Sequence, residues 1–115
     1  MAYMLLIVEP TGQRDMRSLP EGRGVYQRML DYTDSLKSRG LLLASNSLRA
    51  SAARLSIRAG RQSVVDGPFT ESKEFVGGFF LLDCATREQA LSLAAECPAA
   101  AWATIEVREV GPCYE

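Results

Sequence analysis

Two short, continuously apolar segments constrain the fold of this chain more than any other feature. Tyr3–Val8 and Phe75–Leu82 are rich in leucine, phenylalanine and β-branched residues, and neither alternates as a strand with one face in water would. Both are too short to cross a membrane as helices. The sequence therefore predicts two strands that are apolar on both faces, as central strands of a sheet are.

Two amphipathic helices are predicted between the other strands. The first is predicted from the helical spacing of Val25, Met29, Tyr32 and Leu36, and Gly40 can end it. It follows Glu9–Gly24, a polar segment that we interpret as a loop leading into the helix, in which Ser18 and Glu21 can form a capping box. The second starts at a capping box formed by Thr86 and Gln89 and ends at Pro98. The remaining predicted strands are Leu41–Ser45, a hairpin built from Leu55–Arg58 and Gln62–Val65, and Trp102–Val110.

This order predicts an α+β fold of ferredoxin-like topology, βαββαβ, with an inserted hairpin and both helices on one face of an antiparallel sheet. A chain of 115 residues is expected to form a single domain, residues 1–115. Because the helices cover only one face and the central strands are apolar on both, a second copy is expected to cover the other face. We therefore predict a homodimer.

Charge and composition exclude several classes of function. Thirteen basic residues stand against 14 acidic ones, so there is no positive excess with which to bind nucleic acid. The first residues lack a basic leader and a cleavage site, and no segment is long enough to span a membrane, so we expect a cytoplasmic protein without a membrane partner. The absence of histidine removes histidine-based catalysis and imidazole metal ligands. The three cysteines have no CxxC spacing, and we expect reduced structural thiols, no metal site and no cofactor.

One segment carries a resemblance to a known family. It runs Asp66-Gly67-Pro68-Phe69-Thr70-Glu71-Ser72-Lys73-Glu74, with Val76-Gly77-Gly78-Phe79-Phe80 after it, and it resembles the signature of the DGPF branch of the YCII-related family. The resemblance extends over nearly the whole chain. It implies a ferredoxin-like fold, a dimer of the α+β barrel type joined through the sheets, and a pocket near the signature loop.

The resemblance also limits what can be carried over. Some members of the wider family are thought to use a His-Asp pair, but Tyr26 stands about where that histidine would fall. The catalytic pair is therefore not transferred to this chain. DGPF-type proteins often occur beside sigma factors of the extracytoplasmic-function class, which implies a regulatory association as a further hypothesis.

The signature loop itself admits two interpretations. As a structural clasp, Asp66 bonds backbone N–H groups of the turn while Phe69 fills part of the core. As a site, Asp66 and Glu74 act as acid and base. The residues expected to bind the ligand are then Pro68, Phe69, Glu71, Lys73 and Asn46. Trp102 is expected on the outward face of the last strand, either at the dimer interface or stacked on a ligand.

Three functions remain open at this point. The first is a dimeric small-molecule-binding or accessory protein. The second is a lyase, isomerase or hydrolase that acts on a small molecule through carboxylates. The third is an interaction module associated with an extracytoplasmic-function sigma factor.

Overall fold

The computed structural model describes residues 1–69 and 71–115. Two helices and six strands are found there, with short 3-10 helices at Arg14–Met16 and Pro98–Ala101. The main elements in chain order are β1 (Ala2–Pro10), α1 (Leu19–Ser38), β2 (Leu42–Ser47), β3 (Ala53–Arg58), β4 (Arg61–Asp66), β5 (Glu74–Asp83), α2 (Arg87–Ala95) and β6 (Thr104–Glu109).

The main sheet is antiparallel and has the strand order β2-β5-β1-β6. The two apolar segments form its central strands β5 and β1, as predicted, and Leu5 lies between Phe80 of β5 and Val107 of β6. Strands β3 and β4 form a separate two-stranded sheet, which is the predicted hairpin. The α+β, ferredoxin-like prediction with an inserted hairpin is confirmed.

The core lies between the sheet and the two helices. Alternate residues of the central strands, including Leu5 and Leu82, are completely buried there, together with Leu36 of α1. Tyr32 connects the two helices, because its hydroxyl donates a 2.6 Å hydrogen bond to the Leu93 carbonyl oxygen of α2. Burial raises the pKa of Tyr32, so this phenol remains a donor at any ordinary pH.

In the part of the chain that the structure describes, no helix packs against the opposite face of the sheet. Its apolar side chains come from the other set of alternating positions in β1 and β5, and each is only half-buried in a single chain. They are Met4, Leu6, Val8, Phe79 and Leu81. We call these residues the outer face.

Helix α1 begins earlier than the sequence interpretation placed it. The segment Glu9–Gly24 is not a continuous loop, because β1 runs to Pro10 and the helix starts at Leu19. Ser18 Oγ accepts a hydrogen bond from the Glu21 N–H, and the Glu21 carboxylate accepts one from the Ser18 N–H. This capping box fixes the first turn, so the glycines that follow do not prevent helix formation.

The β3–β4 hairpin extends away from the main sheet. Its turn at Ala59 and Gly60 has φ angles of 51° and 76°, the positive values that a tight hairpin turn requires. Leu55 and Ile57 are 61% and 57% exposed. The radius of gyration of the chain is 16.0 Å, whereas a compact domain of this length has about 13 Å. A single chain thus leaves apolar hairpin residues in water.

Candidate functional site

A cavity of about 500 Å³ lies between α1 and the helix-covered face of the sheet. Its apolar walls include Val25, Met29 and Phe80, and its polar walls include Thr33 and Ser45. The charged residues that line it are Glu9, Arg14, Arg17 and Lys37. The cavity therefore combines an apolar body with a few polar and charged groups, which is the usual composition of a small-molecule site.

The cavity exists because parts of both walls, helix α1 and the sheet, lack side chains that would fill it. Tyr32 and Leu36, the two buried residues of α1, lie in the second half of the helix, whereas the cavity is lined from Gly22 onward. On the sheet side, Gly77 and Gly78 contribute no side chains. A Cβ on Gly78 would lie 3.1 Å from the Asn46 carbonyl oxygen, and a Cβ on Gly77 would collide with the Glu9 carboxylate. The Gly-Gly pair of β5 therefore makes room both for the cavity and for a buried carboxylate.

That carboxylate is held by an arginine. Arg14 donates two 2.8 Å hydrogen bonds to Glu9, from Nε to Oε1 and from Nη2 to Oε2. It also donates to the carbonyl oxygens of Leu48, at 2.7 Å, and Gly77, at 3.1 Å. Arg14 thus joins the end of β1 to the end of β2 and to β5. Such bidentate, charge-assisted bonding fixes the geometry of one wall of the cavity.

Trp102 forms another part of the wall, together with two further arginines. The guanidinium carbon of Arg17 lies 5.8 Å from the centre of the indole, and that of Arg28 lies 5.0 Å from it. Both distances are within the range of cation–π attraction. Trp102 precedes β6 and lines the cavity, so it does not lie on the outward face of the last strand.

The signature loop lies elsewhere, between the hairpin and β5. The Gly67 N–H donates a 2.6 Å hydrogen bond to the Ala52 carbonyl oxygen, and the Gly67–Pro68 peptide bond is cis. The guanidinium carbon of Arg54 lies 3.7 Å from the centre of the Phe69 ring. Arg54 also donates a hydrogen bond to Ser72 Oγ and forms a 4.0 Å ion pair with Glu71. These contacts attach the loop to the hairpin.

The predicted site residues are therefore divided between two places. Asn46 lines the 500 Å³ cavity, and Phe69 lines a smaller cavity of about 350 Å³ next to the hairpin. The other predicted site residues are exposed and line neither cavity. They are Asp66, Pro68, Glu71, Lys73 and Glu74. Thr70 of the same motif lies outside the described residues.

The thiols lie away from both cavities. Cys84 and Cys97 are buried and Cys113 is exposed. Burial raises the pKa of both Cys84 and Cys97, which disfavours the nucleophilic thiolate. Within residues 1–69 and 71–115, no cluster of three or more cysteine or carboxylate side chains is placed to hold a metal ion. In the same part of the chain, no helix has the length and apolarity needed to span a membrane.

Sequence reasoning missed the charged residues of the larger cavity. Glu9 continues the inward alternation of Tyr3, Leu5 and Ile7 in β1, and it is 8% exposed. A carboxylate at a buried strand position needs a partner, and Arg14 follows five residues after Glu9 in the sequence. This signal was in the sequence, but ending the first strand at Val8 concealed it.

Two comparisons with known proteins bear on this architecture. A profile of the YCII-related domain matches residues 1–113. The chain is also 51% identical over 43 residues to an uncharacterised protein from Rhizobium meliloti (strain 1021). That alignment covers 37% of this chain and 35% of the Rhizobium protein, so the two are similar over about a third of their lengths.

Proposed function

The chain belongs to the YCII-related family, and we propose that it binds a small molecule in the cavity between α1 and the sheet. The observation that carries this proposal is the cavity itself. Its volume of about 500 Å³ lies within the roughly 300–1,000 Å³ range of small-molecule sites. The opposing walls are a helix and two central strands, which are rigid supports for a ligand.

The charged groups in the cavity favour binding over acid–base catalysis at this place. Glu9 is the one acidic residue in the lining, and both of its oxygens accept hydrogen bonds from Arg14. Both carboxylate oxygens are thus engaged by the guanidinium, so the group positions Arg14 and offers no free carboxylate to a ligand. The enzyme hypothesis rests on Asp66 and Glu74, outside this cavity, and it stays a separate prediction, as does the association with a sigma factor.

We also propose that the binding protein is a homodimer in which a second copy covers the outer face. Five half-buried apolar side chains lie there in a single chain, and no helix packs against them. The hairpin adds Leu55, Ile57 and Val64, all more than half exposed. An isolated two-stranded hairpin is at best marginally stable in water, so these residues also favour burial against a partner.

A cavity-filling substitution tests the binding proposal. Gly22 lies in α1 and lines the cavity, and a Cβ there would have no heavy atom within 4 Å. We expect Gly22→Trp to occupy the cavity without disturbing the backbone. Gly24→Trp is the matched control, because Gly24 has the same open surroundings on the same helix but does not line the cavity.

The probes are two fluorescent dyes of similar size, neutral N-phenylnaphthylamine and anionic anilinonaphthalenesulfonate. We expect Gly22→Trp to abolish saturable binding of at least one dye, while Gly24→Trp retains it. Circular dichroism of both variants checks that they are folded. Equal dye binding by both variants, or no saturable binding to the wild type, would contradict the proposal.

A further inference from the structure

We infer that the cavity selects an organic anion, with the anionic group at the Arg17 end and an apolar body along α1. This inference rests on the proposed function and specifies its ligand class. It starts from the charges in the lining, which are three basic side chains and one acidic one. Arg14 and Glu9 neutralise each other through their bidentate pair. Arg17 and Lys37 remain in the lining, and among the described residues neither forms an ion pair.

These two cations come from opposite ends of α1, since Arg17 precedes the helix and Lys37 lies in its last turn. Lys37 is exposed, so water and salt screen its charge. Arg17 is half-buried, and among the described residues no carboxylate forms an ion pair with it. Arg17 is therefore the stronger candidate to bind an anion.

Trp102 reinforces this preference. Its ring attracts the guanidinium groups of Arg17, which lines the cavity, and of Arg28, which does not, so a second positive charge lies beside Arg17 outside the lining. Contact with the face of a ring leaves the N–H edges of a guanidinium able to donate to an oxyanion. The same aromatic wall can pack against an apolar or aromatic portion of the ligand.

The rest of the ligand is expected to be apolar. Beyond Arg17, the helix side of the cavity presents Val25, Met29 and Leu30, and the sheet side presents Phe80 above the Gly77–Gly78 backbone. The polar residues Thr33 and Ser45 lie farther along. An anionic head on an apolar body matches this distribution better than a sugar or a polyamine, since neither of these would satisfy both the cation and the apolar walls.

The two dyes form a matched test because anilinonaphthalenesulfonate carries a sulfonate that N-phenylnaphthylamine lacks. For each dye, only the fluorescence that Gly22→Trp abolishes is counted as binding in the cavity. This excludes dye that binds to the outer face. We expect the anionic dye to bind at least tenfold more tightly than the neutral one. Arg17→Gln should weaken the anionic dye about tenfold, as the loss of one charge-assisted hydrogen bond does. The neutral dye should be unaffected.

Arg23→Gln is the control for net charge, because Arg23 is exposed on α1 and does not line the cavity. It should leave the binding of both dyes unchanged. Equal affinities for the two dyes, or equal effects of Arg17→Gln and Arg23→Gln on the anionic dye, would overturn the anion preference while leaving the proposed cavity intact. Insensitivity of both dyes to Gly22→Trp would overturn the proposed function and this inference together.

Discussion

Glu9 shows how one residue connects the fold to the cavity. It occupies an inward-facing position of a central strand, where an unpaired carboxylate would be strongly unfavourable. Arg14 satisfies it, and Gly77 leaves the space that the carboxylate occupies. Glu9 and Arg14 are five residues apart, whereas Gly77 comes from a distant part of the chain, and the three depend on one another. Their arrangement stabilises the wall of the cavity and does not supply a reactive group.

This dependence leads to the first prediction. Gly77→Ala would place a methyl group against the Glu9 carboxylate and displace the ion pair. We expect a loss of about 2–4 kcal/mol in the free energy of unfolding, between the usual cost of overpacking and that of breaking a buried pair. Urea denaturation measures this loss. Gly24→Ala is the control, since alanine in an open helical position should stabilise the protein slightly. A Gly77→Ala variant as stable as the wild type would refute the account of this contact.

The sequence predicted the apolar residues of β1 around this site and missed the buried ion pair. Alternation and burial were predictable at Tyr3, Leu5 and Ile7, because a strand has a period of two residues. The contact of Glu9 with Gly77 was not, because it depends on the exact register of β1 against β5, and the pairing of Glu9 with Arg14 was concealed by ending the first strand at Val8. Trp102 was misplaced for a related reason: the chain forms a 3-10 turn after Pro98, and this turn delays the start of β6.

At the scale of the element, the signature loop is a connector between the hairpin and β5. Its contacts include the Gly67 hydrogen bond to Ala52 and the stacking of Arg54 on Phe69. A Cβ on Gly67 would lie 2.9 Å from the Phe69 ring, so glycine is required for the ring to fold back over the backbone. These contacts attach the loop to the hairpin but involve neither the Asp66 carboxylate nor the core, so the clasp and the site interpretations both stay predictions.

The second prediction compares Phe69→Ala with Asp66→Asn. If the loop is a clasp, Phe69→Ala should cost about 1–2 kcal/mol, less than the roughly 3–5 kcal/mol of a fully buried phenylalanine, because the ring is only half-buried. Asp66→Asn should cost little, since an amide oxygen can accept the same hydrogen bonds as a carboxylate oxygen. Thermal melting of both variants gives the two costs, and dye binding to the cavity should be unchanged in both. Loss of dye binding in either variant would instead favour a ligand site at the loop.

The elements themselves were largely predictable, and their boundaries were less so. Helix α1 was predicted from the spacing of Val25, Met29, Tyr32 and Leu36, but its first turn was assigned to a loop because of Gly22 and Gly24. The capping box at Ser18 outweighs the low helix propensity of glycine, which is roughly 1 kcal/mol per residue. Gly22 also gives α1 an open surface over the cavity.

At the scale of the whole molecule, a single chain exposes two apolar surfaces, the outer face of the sheet and the β3–β4 hairpin. Helices cover one side of the sheet and leave apolar side chains on the other, while the hairpin extends into solvent with Leu55 and Ile57 exposed. The order of the strands followed from the sequence, because the two segments that are apolar on both faces had to be central.

The third prediction is that the protein is a dimer, with twice the 12.6 kDa mass of the chain in light scattering at micromolar concentration. Neighbouring residues of β1 give a matched pair of variants. Leu6→Asp places a charge on the outer face and should produce a folded monomer. Leu5→Asp places it in the core, where Leu5 is completely buried, and should prevent folding. A wild-type monomer under these conditions would contradict the dimer.

The most direct test of the ligand site is an amide NMR titration of the wild-type protein with anilinonaphthalenesulfonate. The glycines report on both candidate places, because Gly22, Gly77 and Gly78 line the cavity between α1 and the sheet, whereas Gly67 lies in the signature loop and Gly60 in the hairpin turn. We predict that the signals of Gly22, Gly77 and Gly78 shift together and saturate at one dye per chain, while those of Gly60 and Gly67 stay in place. Saturable shifts confined to Gly60 and Gly67 would contradict a ligand site beneath α1.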